Sequence, residues 1–195
     1  MKRLAVSALL AALAGLAAFS GCSRHAPALE VFGDVPPFEL VAQTGQPFSS
    51  QALAGKIWVA DFIYTTCPGP CPRMTSQMRE LQDAVAQDPD ARASVRFVSF
   101  TIDPRNDTPT VLAAYAKTHG ASPQMWYFLT GPVATLQTLD RDAFKLGNID
   151  GTLQHSTRFV LVDRQSRIRG YYDTSEAASI AHVISDVKAL AQERT

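Results

Sequence analysis

Stretches in which most residues are apolar alternate along the chain with stretches in which apolar residues recur every three or four positions. The mostly apolar stretches are typical of strands buried on both faces, and they span 57–64, 95–102 and 125–129. The periodic stretches are typical of amphipathic helices and follow each strand in turn, at 73–85, 109–119 and 133–145. The pattern therefore predicts three strand–helix units in succession.

The last part of the chain changes to a β pattern. Two short strands, 158–162 and 168–172, flank the polar turn 163–167 and predict a hairpin, and an amphipathic helix follows at 177–191. A weaker alternation over 38–48 predicts another hairpin near the start of the domain. Strand–helix alternation followed by an antiparallel pair predicts an α/β fold. We expect a thioredoxin-like mixed sheet flanked by helices, with an inserted strand and helix.

The N-terminus has the features of an export signal with lipid attachment. Lys2 and Arg3 precede the apolar run 4–19, which is shorter than the roughly 20 residues of a membrane span. The run ends in Phe-Ser-Gly before Cys22, which resembles a bacterial lipobox in which the cysteine becomes the lipidated first residue. We predict a lipoprotein signal peptide at 1–21, and an uncleaved signal anchor is the alternative.

Either form of the N-terminus places the domain outside the cytoplasm of a bacterium. We expect it on the periplasmic side, held at a membrane, with the inner membrane favoured. Residues 22–37 contain three prolines and little periodicity, which predicts a membrane tether, and residues 38–195 form the predicted domain. Without residues 1–21 the chain has 16 basic and 18 acidic residues, a balance that gives no sign of nucleic acid binding.

Two cysteines lie where the first long strand gives way to the first helix, in the sequence Cys67-Pro-Gly-Pro-Cys71-Pro72. Unpaired N–H groups and the dipole at a helix N-terminus stabilise a thiolate, which is the form that binds a metal or attacks a disulfide. If both cysteines lie on the opening turn, their spacing places the Cβ atoms roughly 5–6 Å apart. That separation suits either a shared metal ion or a disulfide, and the spacing leaves both open.

The residues around the cysteines narrow the kind of site. Three prolines stiffen the loop, and a preformed loop favours metal capture because little ordering accompanies binding. The chain lacks the second Cys-x-x-Cys of a zinc knuckle and the Cys-x-x-Cys-His of haem attachment. If Cys22 is lipidated, only Cys67 and Cys71 remain as a pair, and the loop between them is too short to stabilise the fold much. Such a pair therefore needs a chemical role.

His155 is the third candidate ligand, because it lies just before the strand 158–162. A thioredoxin-like sheet brings the start of that strand to the N-terminus of the first helix, where thioredoxins have a cis-proline. This chain has no proline after Pro132. Two thiolates and a neutral imidazole form a soft three-coordinate site suited to Cu(I), whereas zinc usually takes a fourth ligand. We therefore predict a copper site formed by Cys67, Cys71 and His155.

Four other side chains with metal-binding atoms are expected to be structural. Met74 and Met78 lie on the apolar stripe of the first helix and are predicted to fill the core. His119 falls near a helix C-terminus, where its charge is favourable, and His182 falls beside the apolar face of the last helix.

Three motifs resemble those of the Sco/SenC family in their order and approximate separation: Cys67-Pro-Gly-Pro-Cys71-Pro72, Asp103-Pro-Arg-Asn-Asp-Thr-Pro109 and His155-Ser156. The similarity runs from Phe38 to the C-terminus. It implies a membrane-tethered, thioredoxin-like protein that holds copper, as Cu(I) with Cu(II) left open, through the two cysteines and the histidine. It also implies that Asp103, at the C-terminal end of a strand, lies near the copper site without being a ligand.

Proteins of that family help assemble the dinuclear copper centre of cytochrome c oxidase, by delivering copper, by reducing cysteines of the target, or both. The expected partners are therefore the copper-bearing subunit of the oxidase, a periplasmic copper donor and a thioredoxin-like reductant. This chain has Asn106 where the family often has arginine, and Gln154 where it often has an acidic residue. These departures leave open whether this member loads the oxidase or another acceptor.

Two other functions remain open on the same residues. A thiol–disulfide oxidoreductase without a physiological metal needs only Cys67 and Cys71, with Cys67 the nucleophile because it comes first on the turn. A peroxide-reducing enzyme on this fold needs one thiol of low pKa and a proton donor. Copper binding differs from both because it also requires His155.

Overall fold

The predicted alternation of strands and helices is present in the structure, a computed structural model that describes residues 28–193. The predicted signal peptide and Cys22 lie outside the described residues. The strands are β1 Gly33–Asp34, β2 Glu39–Ala42, β3 Pro47–Ser49, β4 Ile57–Ile63, β5 Val95–Thr101, β6 Trp126–Thr130, β7 Arg158–Val162 and β8 Arg167–Asp173. The helices are α1 Cys71–Ala86, α2 Pro89–Ser94, α3 Pro109–Thr118, α4 Val133–Gln137 and α5 Ser179–Gln192.

The strands form one mixed sheet in the order β1-β8-β7-β4-β5-β6-β2-β3. β4, β5 and β6 run parallel to one another, as strands joined by helical crossovers do. The β7–β8 hairpin pairs antiparallel with β4, and the β2–β3 hairpin pairs antiparallel with β6. The predicted α/β, thioredoxin-like sheet with a hairpin near its start and another before the last helix is therefore confirmed.

Alternate side chains of β4 enter two cores, one on each face of the sheet. Val59 and Ile63 pack with the apolar faces of α1, α3 and α5. Trp58 and Phe62 pack on the other face with α4 and the N-terminal hairpin. Every residue of β4 is buried, which explains why its sequence is continuously apolar apart from Asp61. Asp61 shares the face of Val59 and Ile63, so its carboxyl lies on the α1 side of the sheet.

α3 has the ends that its sequence predicts. The Thr108 hydroxyl accepts a hydrogen bond from the Val111 N–H at the N-terminus, and Pro109 occupies the first turn. Gly120 follows the helix with φ of 67°, a left-handed conformation that glycine adopts without strain.

The folded part of the chain begins before the predicted domain boundary at Phe38. β1 lies within residues 22–37, which the sequence predicts to be a tether, and it pairs with the start of β8. The Phe32 N–H donates to the Ile168 carbonyl at 2.9 Å, so the chain joins the sheet edge by residue 32. The two-residue length of β1 explains why no periodicity marks it in the sequence.

Two helical segments also differ from the sequence prediction. α2 has no predicted counterpart, although the Asp88 carboxylate caps it and Pro89 opens it, as helix-start signals do. The helix predicted at 133–145 is α-helical only in α4 and continues as a π-helical turn over Thr138–Ala143. None of the helices within residues 28–193 combines the length and apolarity that crossing a membrane requires.

Candidate metal centre

The two cysteines lie on either side of the junction between a loop and a helix. β4 ends at Ile63, and Cys67 lies in the loop that follows, where its N–H donates to the Tyr64 carbonyl at 3.3 Å. Cys71 is the first residue of α1, with Pro70 at the N-cap. Only Cys71 is therefore on the opening turn, because the Pro-Gly-Pro segment holds Cys67 outside the helix.

The antiparallel pairing of β7 with β4 brings His155 to these cysteines. Ala60 of β4 lies opposite Val160 of β7, so the chain before β7 runs back alongside the loop that follows β4. His155 Nε2 lies 3.1 Å from Cys71 Sγ and 3.8 Å from Cys67 Sγ. Within residues 28–193 these three are the only group of three or more metal-binding side chains, and their ligand atoms lie within 4.8 Å of one another.

Two neighbours orient the His155 ring. The Ser156 carbonyl lies 2.9 Å from His155 Nδ1, and since a carbonyl can only accept, Nδ1 carries the hydrogen. The other ring nitrogen, Nε2, therefore presents its lone pair to the sulfurs in neutral His155. The Tyr64 ring packs edge-on against the imidazole, with centroids 5.8 Å apart. In its neutral form the histidine thus has the tautomer that a metal ligand needs.

The two thiols differ in acidity. Burial opposes ionisation of Cys67, but hydrogen bonds with His155, Cys71 and the Gly69 backbone overcome it and lower the pKa of the Cys67 thiol to about 7. Burial, together with the neighbouring Cys67, raises the pKa of Cys71 well above its usual range. Both cysteines are free thiols. Cys67 is therefore the thiolate that reacts first, and Cys71 ionises only when a metal or a disulfide replaces its proton.

Asp61 is a buried carboxyl on the α1 side of the sheet that sequence reasoning missed. Its side chain is fully buried, and within residues 28–193 neither carboxylate oxygen has a hydrogen-bond partner. Burial raises the pKa of Asp61 to about 7, and the neighbouring Ser99 and His155 only partly oppose it. The signal in the sequence was a single acidic residue in an otherwise apolar strand.

A second such carboxyl lies in the π-helical turn. Burial raises the pKa of Asp140 to about 6, and the nearby charge of His155 partly opposes the rise. Coulombic attraction to a positively charged His155 lowers the pKa of both Asp61 and Asp140. A positive charge added at the cysteine–histidine group therefore favours the ionised form of both carboxyls.

Asp103 lies close to this region but does not contact the three candidate ligands in the structure. Its carboxylate accepts a hydrogen bond from the Asn106 amide at 2.7 Å, and its backbone N–H donates to the Thr101 hydroxyl. Asp107, which sequence reasoning did not single out, is linked more directly to the loop that carries Cys67. Its carboxylate accepts hydrogen bonds from Thr65 and Thr101. The prediction that Asp103 supports the site remains a prediction.

The remaining candidates lie away from the sulfurs. Met74 and Met78 are fully buried in the core between the sheet and α1, as their spacing predicts. The His119 ring lies at the end of α3 and packs on Tyr115, with centroids 4.3 Å apart. His182 is exposed on α5. None of the four belongs to the cysteine–histidine group.

Comparisons with known proteins agree on one family. A family model described as SCO1/SenC matches residues 31–192. A SCO1 protein homolog of Bacillus subtilis is 34% identical over 160 residues, which cover 80% of this chain and 81% of the relative. The crystal structure of a SCO1/SenC family lipoprotein from Bacillus anthracis is 32% identical, covers 82% of this chain and 96% of its own, and gives a TM-score of 0.74.

A further solved structure adds a function to the comparison. BsSco, a member of the Sco family of cytochrome c oxidase assembly proteins in which a disulfide switch was identified, is 30% identical to this chain. The match covers 86% of this chain and 99% of BsSco, with a TM-score of 0.73.

Proposed function

The chain belongs to the SCO1/SenC family, and on that premise we propose that it binds Cu(I) and delivers it to the dinuclear copper site of cytochrome c oxidase during assembly. The observation that carries this proposal is the convergence of Cys67, Cys71 and His155, whose ligand atoms lie within 4.8 Å of one another. Copper is the cargo of this activity, so the site has to hold it and also release it.

The donor set fits Cu(I) better than the other common metals. Two thiolates and an imidazole are soft ligands, and soft ligands select Cu(I) over the harder cations that carboxylates hold. A structural zinc site would need a fourth ligand, and within residues 28–193 no fourth cysteine, histidine or carboxylate joins the group. His155 is half-buried, whereas Cys67 and Cys71 are buried, at 8% and 1% exposed, so an acceptor reaches the site from the side of His155.

The unequal thiols favour an ordered capture of the ion. Cys67, with a pKa of about 7, offers a thiolate at neutral pH. His155 Nε2, which shares a hydrogen bond with that sulfur, presents its lone pair once the arriving ion displaces the shared proton. Cys71 keeps its proton until the ion arrives, because burial raises its pKa. Binding therefore releases a proton from Cys71, and raising the proton concentration favours release of the ion.

We further propose that the protein works at the outer face of a bacterial inner membrane, attached through lipid on Cys22. The lipobox-like sequence before Cys22 supports this, and so does the similarity to a SenC-type lipoprotein. In this location its partners are the copper-bearing subunit of the oxidase, a periplasmic copper donor and a thioredoxin-like reductant.

A second candidate function is thiol–disulfide exchange without copper, and the difference in acidity between the two thiols supports it. Cys67 has the lowered pKa of an attacking thiol, and Cys71 lies beside it as a resolving thiol. The disulfide switch identified in BsSco, a related protein, is consistent with such chemistry.

Replacing His155 separates the two functions. We expect the purified, reduced protein to bind one Cu(I) per chain, measured in competition with a chromophoric chelator. His155→Ala should weaken that binding by at least the roughly 10–100-fold that the loss of an outer partner of a ligand causes. His119→Ala is the matched control, since its ring packs on Tyr115 away from the sulfurs. Disulfide formation between Cys67 and Cys71 should persist in both variants. Unchanged copper affinity in His155→Ala would rule out His155 as a ligand. A wild type that does not bind Cu(I) would reject the copper proposal and leave thiol exchange.

A further inference from the structure

The loop from Tyr64 to Pro70, here called the site loop, carries two of the groups that form the candidate centre. Tyr64 packs its ring on His155, and Cys67 supplies a sulfur. Thr65 lies between them in the chain. A group that fixes Thr65 therefore fixes both the residue that supports the histidine and the residue that supplies the thiolate.

Asp107 makes this connection from another part of the chain. Its oxygen Oδ1 accepts a hydrogen bond from the Thr65 hydroxyl at 2.5 Å, and both carboxylate oxygens accept from the Thr65 N–H at 3.2–3.3 Å. Its oxygen Oδ2 accepts from the Thr101 hydroxyl at 2.5 Å. Asp107 is 1% exposed, so these bonds are protected from competition with water.

The topology explains why this link is possible. β4 and β5 are parallel neighbours with Ile63 opposite Thr101, so Thr65, just past the end of β4, lies near the end of β5. Asp107 follows β5 in a turn held by its own N–H, which donates to the Asp103 carbonyl at 2.8 Å. Its carboxylate joins the site loop to the rigid end of β5, while prolines stiffen the loop farther on.

We propose that Asp107, acting through Thr65, is a positioning residue for the copper centre: it holds the site loop so that Cys67 and the Tyr64–His155 contact are in place before copper arrives. This inference rests on the proposed copper function. Without the link, the loop would have to become ordered when copper binds, and that ordering would oppose binding. The same loss of order would make it harder for Cys67 to meet Cys71 in a disulfide.

The sharpest test compares Thr65→Val with Thr65→Ser. Valine has the shape of threonine but no hydroxyl, whereas serine retains the hydroxyl that donates to Asp107. Thr65→Val removes the hydroxyl bond to Asp107 but keeps the two N–H bonds. We therefore expect it to lower Cu(I) affinity by roughly tenfold, the low end of what the loss of outer contacts to metal ligands costs, and Thr65→Ser to stay within about threefold of the wild type. Asp107→Asn should resemble Thr65→Val or exceed it, because the amide cannot accept from both threonines at both ends.

Thr130→Val is the matched control, since Thr130 is a buried threonine on β6 outside the link to Asp107. It should leave Cu(I) affinity unchanged, whatever it does to the melting temperature. If Asp107→Asn fails to fold, the two Thr65 variants still decide the matter. Folded Thr65→Val with wild-type copper affinity would overturn the proposal, and so would an equal loss in Thr65→Ser.

A second measurement separates this inference from the copper function. The equilibrium between the Cys67–Cys71 dithiol and glutathione disulfide needs no copper and depends on how well the thiols are held together. We expect the constant for disulfide formation to fall by roughly tenfold in Thr65→Val and to recover in Thr65→Ser. If the wild type does not bind Cu(I), the copper function fails, while this pair of variants still supports or overturns the positioning role.

Discussion

Asp61 imposes a cost in stability that depends on pH, and Asp61→Asn should remove it. The carboxyl is fully buried, and within residues 28–193 neither of its oxygens has a hydrogen-bond partner. Burial raises its pKa from 3.8 to about 7. The folded protein therefore holds the Asp61 proton more tightly than the unfolded chain does. The stabilisation that comes from this tighter proton binding is complete below pH 3.8 and is lost as the pH rises to about 7.

The size of the loss follows from the two pKa values. A difference of about 3 at about 1.4 kcal/mol for each pH unit corresponds to about 4 kcal/mol across the whole range. About 3 kcal/mol of this falls between pH 5 and pH 8, because the unfolded carboxyl has already lost most of its proton at pH 5. The asparagine side chain does not titrate, so the variant avoids the loss. Burying the amide of Asp61→Asn lowers stability by about as much as burying the protonated carboxyl does, and this loss is the same at either pH.

Urea unfolding of the reduced protein at pH 5 and pH 8 measures this effect. We expect the free energy of unfolding of Asp61→Asn to exceed that of the wild type by about 3 kcal/mol more at pH 8 than at pH 5, with an unchanged slope in urea. Asp140 and Cys67 titrate in both proteins, so their effects on the free energy of unfolding cancel in the difference between variant and wild type. Glu80→Gln, at an exposed position on α1, should show no such change. The same difference between variant and wild type at both pH values would refute the reasoning.

Two further predictions concern the thiols and the core. The rate of Cys67 alkylation by iodoacetamide should rise through about pH 7, while Cys71 reacts far more slowly. His155→Ala should raise the pH midpoint of Cys67 alkylation, because a hydrogen bond that lowers the pKa of Cys67 is lost. Peptide mass spectrometry measures alkylation at the two cysteines separately. A Cys67 midpoint that stays near pH 7 in His155→Ala would contradict this. Met78→Ala should lower the free energy of unfolding by about 2–5 kcal/mol, because the side chain is fully buried. It should leave Cu(I) affinity unchanged. A loss of copper affinity in the folded variant would show that Met78 does more than fill the core.

The sequence predicted the central strands well because they are buried on both faces. β4 and β5 occupy mostly apolar runs of strand length, rich in β-branched and aromatic residues, which is the composition of strands covered by helices on both faces. The start of α3 was also predictable, since the signals of Thr108 and Pro109 are local. β1 was not, because a two-residue edge strand is defined by its partner β8 and has no pattern of its own.

The candidate ligands were predictable to different degrees. Cys67 and Cys71 stand together in a proline-rich loop, so their chemistry is visible in the sequence. His155 was placed with them only through the expected fold, and the structure brings it to 3.1 Å from Cys71 Sγ. Sequence reasoning chose Asp103 as the nearby carboxylate. That role for Asp103 stays a prediction. Sequence reasoning did not single out Asp107, whose carboxylate holds Thr65, because this bond joins two segments that only the folded chain brings together.

The amino-acid sequence by itself determined which segments are strands and helices, and it marked the two thiols, because periodicity and proline-rich loops act over a few neighbouring residues. The tertiary structure decided what the thiols meet. The pairing of β7 with β4 brings His155 from 84 positions away to Cys71, and the parallel pairing of β4 with β5 sets Thr65 beside Asp107. It also decided the acidity of Asp61 and the difference between Cys67 and Cys71, because burial sets a pKa and only the folded chain has an interior.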